Sequence, residues 1–245
     1  MSCPPLQKDA FLASEGDAWF LRNGSARADL ETAAAHDPLL GALRDFDLPA
    51  ETVLEVGASD GWRLEALRRE RPDTRCWGIE PSAAAVTSGR ERFPELRLEV
   101  GTADDLPFET NSVDLMLFGF CLYLCDRSDL FCIAAEADRV LAPNGAIVIY
   151  DFHSEVPYAN PYAHLEGLAS YKMDHADLFT WNPAYRVQLQ DVFPHPGPDG
   201  RIPPVGSPDD QVAVTILRRD LDQGWPSGRP DHAHQPEARF PAEPL

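Results

Sequence analysis

The stretch Thr52-Val-Leu-Glu-Val-Gly-Ala-Ser-Asp-Gly-Trp62 decides the predicted fold of this chain. Its first five residues are β-branched or apolar apart from Glu55, which predicts a buried strand over 52–56. Gly57 and Gly61 then predict a turn with positive φ angles, where a ligand can approach the backbone closely. A buried strand followed by a glycine turn is typical of nucleotide and nucleoside sites in α/β proteins.

The residues after this turn complete a strand, turn, helix and strand unit. A helix is predicted over 60–70 with Asp60 as its N-terminal cap, and a second strand over 76–79 ends at the acidic residue Glu80. The glycines do not fit the G-x-G-x-x-G pattern of dinucleotide-binding proteins. Because Glu55 stands immediately before the turn, it would repel a pyrophosphate, and the sequence therefore favours a cationic ligand.

Composition narrows the class of protein and of partner. The chain has 245 residues, which is enough for one α/β domain with a full core. It has 21 Lys and Arg against 40 Asp and Glu, a formal net charge of −19, which argues against nucleic acid and anionic membranes as partners. Without an apolar run of membrane-spanning length or a leader-like start, the protein is expected to be soluble and cytoplasmic. Free thiols are expected at all five cysteines: Cys3, Cys76, Cys121, Cys125 and Cys132.

The pattern between residues 51 and 152 predicts a doubly wound, mainly parallel α/β sheet. Ser82 is the candidate cap of the second helix, and either Asp126 or Ser128 opens the third helix. Two further strands are expected near 185–193 and 211–218. The five strands of the array are predicted over 52–56, 76–79, 97–100, 112–119 and 146–150, and its helices over 60–70, 82–92 and from about 128 to 141.

Three regions surround or extend this array. Residues 1–50 predict an N-terminal helical cover, with helices near 15–24 and 30–43, and residues 51–219 form the ligand-binding domain. Residues 220–245 are rich in proline and charge, so we expect a disordered tail. An irregular segment over 153–183, rich in His, Tyr and Pro, suits the wall of a pocket. Trp19, Arg22 and Asn23 are possible ligand contacts in the cover, although core packing is the preferred interpretation for Trp19.

The order of these motifs resembles that in the class I S-adenosylmethionine-dependent methyltransferases. Residues 55–61 are similar to the first motif of that family, acid-x-Gly-x-Gly-x-Gly, with Ser59 at the middle glycine. Glu80 and Pro81 resemble the site that binds the ribose hydroxyls, and residues 101–108 resemble the loop that holds the adenine. The resemblance implies S-adenosyl-L-methionine as the cofactor and ten cofactor-binding residues: Glu55, Gly57, Ser59, Gly61, Glu80, Pro81, Thr102, Ala103, Asp104 and Phe118.

The resemblance also implies methyl transfer to a small-molecule acceptor. O-methylation in a natural-product or sugar pathway is the leading hypothesis, and a hydroxyl acceptor must lose a proton. His153 is the first candidate for taking that proton, because an imidazole titrates near neutral pH and this one directly follows strand five. His175 is the second candidate. Further candidates at the ends of strands four and five and in the irregular segment are Tyr123, Asp151, Lys172 and Asp174.

Other functions stay open at this point. N-methylation of a small amine and cofactor binding without turnover fit the same motifs, whereas a nicotinamide oxidoreductase has the right strand and acid but the wrong glycines. Residues 118–123 stand where many amide and adenine N-methyltransferases have Asn/Asp-Pro-Pro-Tyr, which argues against nucleic-acid methylation. No metal is expected, because His153 with His164, and His232 with His234, lack further ligands at suitable spacing. The oligomeric state is left open.

Overall fold

The computed structural model describes residues 6–23, 29–197, 201–204 and 207–225. The strands in these residues are β1 (Thr52–Val56), β2 (Arg75–Glu80), β3 (Arg97–Val100), β4 (Val113–Gly119), β5 (Leu141–Phe152), β6 (Tyr158–Pro161), β7 (Ala169–Lys172), β8 (Tyr185–Pro194) and β9 (Gln211–Arg219). The α-helices are α1 (Gln7–Ala10), α2 (Gly16–Asn23), α3 (Leu30–His36), α4 (Pro38–Asp45), α5 (Trp62–Glu70), α6 (Ala83–Arg92), α7 (Leu130–Val140), α8 (Asp177–Thr180) and α9 (Leu221–Gly224). A π-helical segment, Phe11–Glu15, joins α1 to α2.

Seven strands form one sheet in the order β3-β2-β1-β4-β5-β9-β8. The first five pair in parallel, whereas β9 is antiparallel to both β5 and β8. The predicted mainly parallel, doubly wound sheet is therefore confirmed. The chain order reverses at β1, which lies between β2 and β4, and such a switch point opens a crevice beyond the carboxyl ends of the strands.

The two faces of the sheet bury separate apolar layers. In β1, Val53 belongs to the layer beneath α3, α4 and α5, and Leu54 belongs to the layer beneath α7 and α8. Both side chains are fully buried, as expected for a central parallel strand covered on both sides. Full burial of each such side chain contributes about 1.5–3 kcal/mol. The core therefore holds β1 rigidly and sets the position of the turn that follows it.

Of two helix caps predicted from the sequence, one is correct and one is wrong. The Ser82 hydroxyl accepts a hydrogen bond from the Ala85 amide at 3.0 Å, which confirms the predicted cap of α6. The predicted Asp60 cap of α5 is wrong, because Gly61 occupies the cap position and the Asp60 carboxylate instead binds Arg92 at 3.0 Å. Asp60 is thereby used to join the turn to α6.

The N-terminal cover and the start of α7 also differ from the prediction. The single helix expected over 30–43 is two helices, because Pro38 begins α4 and the Asp37 carboxylate caps it, accepting from the Leu40 amide at 2.9 Å. Helix α7 begins at Leu130 without a side-chain cap. Asp126, one of its two predicted caps, instead accepts hydrogen bonds from the backbone amides of residues 7 and 8, each at 3.0 Å. The chain start is thus tied to the region after β4.

The segment over 153–183 is more regular than predicted. It contains a hairpin, β6 with β7, and the short helix α8. Strand β5 begins at Leu141, five residues earlier than expected, with a register irregularity opposite β4. Gly24, Cys3, His232, His234 and the tail residues 226–245 lie outside the described residues. Within the described part of the chain, every helix is too short or too polar to cross a lipid bilayer.

Candidate active site

A cavity of about 1030 Å³, a volume that includes open solvent at its mouth, lies at the carboxyl ends of β1, β2 and β4. Its sheet side is formed by the turn after β1, by the end of β2, by the loop after β3 and by the first residues after β4. The N-terminal cover forms another wall through Lys8, Phe11, Gly16 and Trp19. This is the crevice at which a doubly wound sheet binds its ligand.

The turn after β1 brings backbone to the cavity through an unusual series of left-handed residues. Gly57, Ser59 and Gly61 have φ angles of 75°, 52° and 77°. A Cβ atom on Gly57 would lie 2.6 Å from the Cβ of Cys121, so only glycine fits between the turn and the chain after β4. Gly57 and Ser59 line the cavity as predicted, with Ser59 in a conformation that costs an ordinary residue about 1–2 kcal/mol.

Glu80 stands at the end of β2 and lines the cavity. Its carboxylate accepts a hydrogen bond from the Ser59 amide at 2.8 Å and from the Ser82 amide at 3.0 Å. These two bonds fix the carboxylate between the turn after β1 and the start of α6. Pro81 lines the cavity beside it, so the ribose-binding position expected from the sequence is at the cavity.

The loop after β3 lines the cavity through Thr102, Ala103 and Asp104, which are the alternative adenine contacts implied by the resemblance. Asp104 binds Lys8 of the N-terminal cover at 2.6 Å, and the same Lys8 nitrogen lies 3.2 Å from Asp129. Burial acts to raise the pKa of Asp104, but hydrogen bonds from Lys8 and Thr102 outweigh it and lower the pKa below its ordinary value. The N-terminal cover is therefore held by an ion pair to the loop after β3, which lines the cavity.

Glu55 requires a correction. It was expected to attract a cationic ligand directly, but it is fully buried, lies outside the cavity lining and forms an ion pair with Arg63. Arg63 also binds Asp37, with Nη2 3.0 Å from Oδ2. Burial alone would lower the pKa of Arg63, but the charges of Asp37 and Glu55 outweigh burial and raise it above its ordinary value. The charge of Glu55 is thus balanced within the protein, by a residue that itself lines the cavity.

Two further predicted cofactor residues serve packing instead. Phe118 is 1% exposed, and its ring lies 6.2 Å from that of Phe179 in the core below the sheet. Gly61 lies outside the cavity lining, and a Cβ atom there would come within 2.8 Å of Leu96 and 3.1 Å of Leu98. Neither position is accessible from the cavity, because the pleat of β4 and the start of α5 direct them into the core.

The two predicted histidines lie elsewhere. His153 and His175 line a second, smaller cavity of about 180 Å³ beside β5 and β9, together with Asp174 and Thr215. Burial and the charge of Arg127 lower the pKa of His175 to about 3, so this ring is neutral at physiological pH. The structure thus places both histidines at the smaller cavity beside β9 and outside the lining of the main cavity.

The remaining predicted proton acceptors are buried supports of the cavity wall. The Asp151 carboxylate accepts from the backbone amides of Leu122 and Tyr123 at 2.9 and 3.3 Å, which holds the loop after β4 against β5. Burial raises the pKa of Asp151 to about 7, against the opposing effect of these donors. Burial also raises the pKa of Tyr123 above its ordinary value, and its hydroxyl forms a hydrogen bond with Trp19. Neither residue lines the main cavity. Lys172 is also buried, and its ammonium group donates to the Asp209 carbonyl.

The structure adds cavity residues that the sequence analysis misjudged or missed. Trp19 lines the cavity, so the core-packing interpretation is wrong for it, whereas Arg22 pairs with Glu15 and Asn23 donates to the Trp19 carbonyl. Phe120, directly after β4, also lines the cavity in a left-handed conformation with φ 55°. Its place at the carboxyl end of a central strand is the signal that would have identified it.

A sequence model of a family described as a methyltransferase domain matches residues 53–145, which run from β1 into β5. This part of the chain is therefore similar to a methyltransferase domain. The seven-stranded sheet with its antiparallel β9 has the fold of the class I S-adenosylmethionine-dependent methyltransferases.

Known methyltransferases are similar to this chain over part of their length. The malonyl-[acyl-carrier protein] O-methyltransferase of Alcanivorax borkumensis is 30% identical over 125 residues, which are 49% of this chain and 39% of that protein. The demethylmenaquinone methyltransferase of Tropheryma whipplei is 30% identical over 116 residues, 47% of each chain. The chain thus spans less than half the length of either relative.

A solved structure matches over a larger share. It is the Burkholderia thailandensis 1,6-didemethyltoxoflavin-N1-methyltransferase with bound 1,6-didemethyltoxoflavin and S-adenosylhomocysteine, at a TM-score of 0.63 and 18% identity. The match covers 90% of this chain and 93% of that chain. At this level of identity the likeness concerns the fold.

The lining of the main cavity fits S-adenosylmethionine. An open backbone turn, an oriented carboxylate and a polar loop line the cavity in the order of the three motifs. Among the described residues, no group of three or more His, Cys, Asp and Glu is placed to hold a metal ion. The described thiols Cys76, Cys121, Cys125 and Cys132 are free.

Proposed function

We propose that this protein transfers a methyl group from S-adenosylmethionine to a small-molecule acceptor, with O-methylation as the leading reaction. The observation that carries the proposal is the continuity of the main cavity, which joins the Glu80 carboxylate to the aromatic residues Trp19 and Phe120. The O-methyltransferase among the curated relatives supports the choice of acceptor atom. In this proposal, residues 1–50 form a helical cover and residues 51–219 form the cofactor-binding domain. The protein acts in the cytoplasm, in a natural-product or sugar pathway.

The residues of the cavity have distinct proposed roles. Glu80 accepts hydrogen bonds from the two ribose hydroxyls, because an ionised carboxylate is a strong acceptor for paired donors. The backbone of Ala103 and the side chain of Asp104 bind the adenine, and the turn of Gly57 to Ser59 takes the amino-acid end of the cofactor. When bound, S-adenosylmethionine supplies a methyl group on a positively charged sulfur atom.

The N-terminal cover and the loop after β4 align the methyl donor with the acceptor and exclude water from the cavity. Trp19 is held in place by its hydrogen bond with Tyr123, and Lys8 ties the same segment to Asp104 and Asp129. Ordered walls reduce the entropic cost of bringing donor and acceptor into line. Methyl transfer from a sulfonium gains much of its rate in this way, because the donor already carries its leaving group.

Cofactor binding without turnover is a second candidate, and one observation favours it. All six residues considered as proton acceptors lie outside the lining of the main cavity: His153, His175, Tyr123, Asp151, Lys172 and Asp174. N-methylation of a small amine also fits this arrangement, because an amine that binds after losing its proton needs no base in the protein.

Calorimetric titration with S-adenosylhomocysteine tests the cofactor site. The parent is expected to bind, and Glu80→Gln, which keeps the shape of the side chain but removes its charge, is expected to bind at least about tenfold more weakly. Glu109→Gln is the matched control, because Glu109 is exposed outside the cavity lining. A folded parent that does not bind, or a Glu80→Gln protein that binds as the parent does, contradicts the proposed site.

Turnover is tested separately. The protein is incubated with S-adenosylmethionine and matched hydroxyl and amine acceptors, and mass spectrometry measures both S-adenosylhomocysteine and the methylated product. Product from the hydroxyl compounds supports O-methylation, and product from the amines alone supports the N-methylation alternative. Tight cofactor binding with no product from either series favours the non-catalytic candidate.

A further inference from the structure

The charged groups lining the main cavity are already paired or are acidic. The described lining contains the carboxylates of Glu80, Asp104, Asp126 and Asp129 and the cations Lys8 and Arg63. Lys8 binds both Asp104 and Asp129, and Arg63 binds two carboxylates behind the cavity. An anionic ligand in the cavity would therefore meet only two cationic side chains among the described lining residues, and carboxylates of the protein already balance both charges.

An aromatic wall occupies one side of the cavity. We define it as Trp19, Phe120, Tyr123 and Phe152. The Tyr123 hydroxyl bonds the Trp19 side chain, and the Tyr123 ring lies 6.3 Å from Phe120 and 5.1 Å from Phe152, in edge-to-face contacts. Phe120 also lies 5.4 Å from Phe152, so the rings form one continuous packed group. Only Trp19 and Phe120 of this wall line the cavity itself.

The aromatic wall lies on the opposite side of the switch point from the ribose position. Phe120 follows β4, whereas Glu80 ends β2, and β1 lies between these two strands. Neighbouring strands are about 4.8 Å apart, which places Phe120 roughly 10 Å across the sheet from Glu80. A nucleoside held at Glu80 and the loop after β3 thus leaves the aromatic wall for the second substrate.

Cations near the aromatic wall are also held by protein groups. The Lys172 ammonium lies 4.1 Å from the centre of the Phe152 ring, on the side where it donates to the Asp209 carbonyl. Arg22 pairs with Glu15. Arg127 donates to the carbonyls of Leu122 and Cys125 and stacks on a tyrosine ring. All three cations lie outside the lining of the main cavity.

We propose that the methyl acceptor is an uncharged aromatic molecule that binds against Trp19 and Phe120, and that the cavity discriminates against anionic acceptors. The proposal rests on the proposed function, because it assigns the second substrate of the same site. Aromatic rings gain edge-to-face and offset contacts with such a wall. An anion would be buried among carboxylates without a cation of its own, which disfavours its binding strongly.

Three small probes separate the two parts of this proposal. They are 2-naphthol, which is uncharged and aromatic; 2-naphthoate, which is aromatic and anionic; and decahydro-2-naphthol, which has the same two rings without aromaticity. Each is titrated calorimetrically into the full-length protein saturated with S-adenosylhomocysteine. We expect 2-naphthol to bind at least about tenfold more tightly than 2-naphthoate. We also expect it to bind at least about threefold more tightly than decahydro-2-naphthol.

Substitutions locate the binding. Phe120→Leu and Trp19→Leu keep an apolar side chain while removing a ring, and each is expected to weaken 2-naphthol binding about fivefold. Phe131→Leu and Trp181→Leu are the matched controls, because Phe131 is 80% exposed and Trp181 is 70% exposed, both outside the cavity lining. Both controls are expected to bind 2-naphthol as the parent does. Circular dichroism confirms that each variant is folded.

The outcomes distinguish this proposal from the one on which it rests. If S-adenosylhomocysteine binds but 2-naphthoate binds as tightly as 2-naphthol, or no probe binds, the acceptor class is overturned and the cofactor site stands. Equal binding of 2-naphthol to Phe120→Leu, Trp19→Leu and the controls overturns the assigned wall. If S-adenosylhomocysteine itself fails to bind to the folded parent, the proposed function is overturned.

Discussion

Replacing Arg63 with methionine tests the buried charge cluster beneath the cavity. The guanidinium binds Asp37 through Nε at 3.2 Å and Nη2 at 3.0 Å, and it binds Glu55 through Nη1. The exposed fractions of Arg63, Asp37 and Glu55 are 6%, 8% and 0%. Solvent therefore cannot replace the cation once it has been removed.

The size of the effect follows from this burial. Removing one partner of a buried ion pair costs about 3–5 kcal/mol, because the remaining charge stays buried without compensation. Methionine keeps part of the apolar packing of the arginine side chain, so most of the loss is electrostatic. For a domain of this size, a loss of about 3–5 kcal/mol lowers the melting temperature by roughly 6–20 °C.

Urea unfolding followed by circular dichroism measures the change. Arg69→Met is the matched control on the same helix, because the Arg69 side chain is 55% exposed and its partner Glu65 is also bound by Arg68. This control is expected to lose no more than about 1 kcal/mol. A loss in Arg63→Met no larger than the loss in Arg69→Met would refute the assignment of a structural role to the buried cluster.

Two further predictions concern the turn after β1 and the loop after β4. Gly57→Ala places a Cβ atom 2.6 Å from that of Cys121 at a φ of 75°, so we expect a loss of at least about 1–2 kcal/mol in unfolding free energy and weaker S-adenosylhomocysteine binding by calorimetry. Gly41→Ala, with no atom within 4 Å of the added carbon, should leave both unchanged or slightly improved. Asp151 has a folded pKa of about 7, above its unfolded value, so its contribution to stability is full below about pH 4 and is lost as pH rises through 7. Urea unfolding from pH 5 to 8 should show that slope in the parent and a smaller one in Asp151→Asn; identical slopes would contradict the raised pKa.

Strand positions were the most predictable feature of this chain. The apolar run at 52–56 matches β1 to the residue, because a central strand is buried on both faces and its local composition is therefore apolar. The strand predicted over 97–100 also matches the edge strand β3 to the residue. The Ser82 helix cap was predictable for the same reason, because the capping hydroxyl only has to accept a hydrogen bond from the amide three residues later in the chain. Such features depend on neighbours in the chain.

Charged residues were the least predictable. Asp60 was expected to cap its own helix but binds Arg92, 32 residues away, and Asp126 binds backbone amides more than 100 residues away. Arg63 binds both Glu55 and Asp37 only because α5 and the turn before α4 pack against β1. The partner of a carboxylate depends on which donor the tertiary fold places next to it, and this cannot be predicted from sequence spacing.

The histidines show the same limit at the level of function. His153 follows β5, which is the correct end of a correct strand, yet it lines the smaller cavity beside β9. Trp19 shows the reverse error. The sequence analysis assigned it to core packing, but it lines the main cavity from the N-terminal cover. The route of the irregular segment and of the cover decides both positions, and neither route has a regular hydrophobic period.

By itself, the sequence determined the class of fold, the order of its strands along the chain and the positions of Gly57, Ser59 and Glu80 at the carboxyl edge of the sheet. These follow from local composition and from the rule that parallel strands end at one edge of the sheet. Only the tertiary structure decided how charges pair beneath the cavity and which aromatic rings line it. Those contacts join segments far apart in the chain, and their geometry is created by packing of the elements rather than by any one of them.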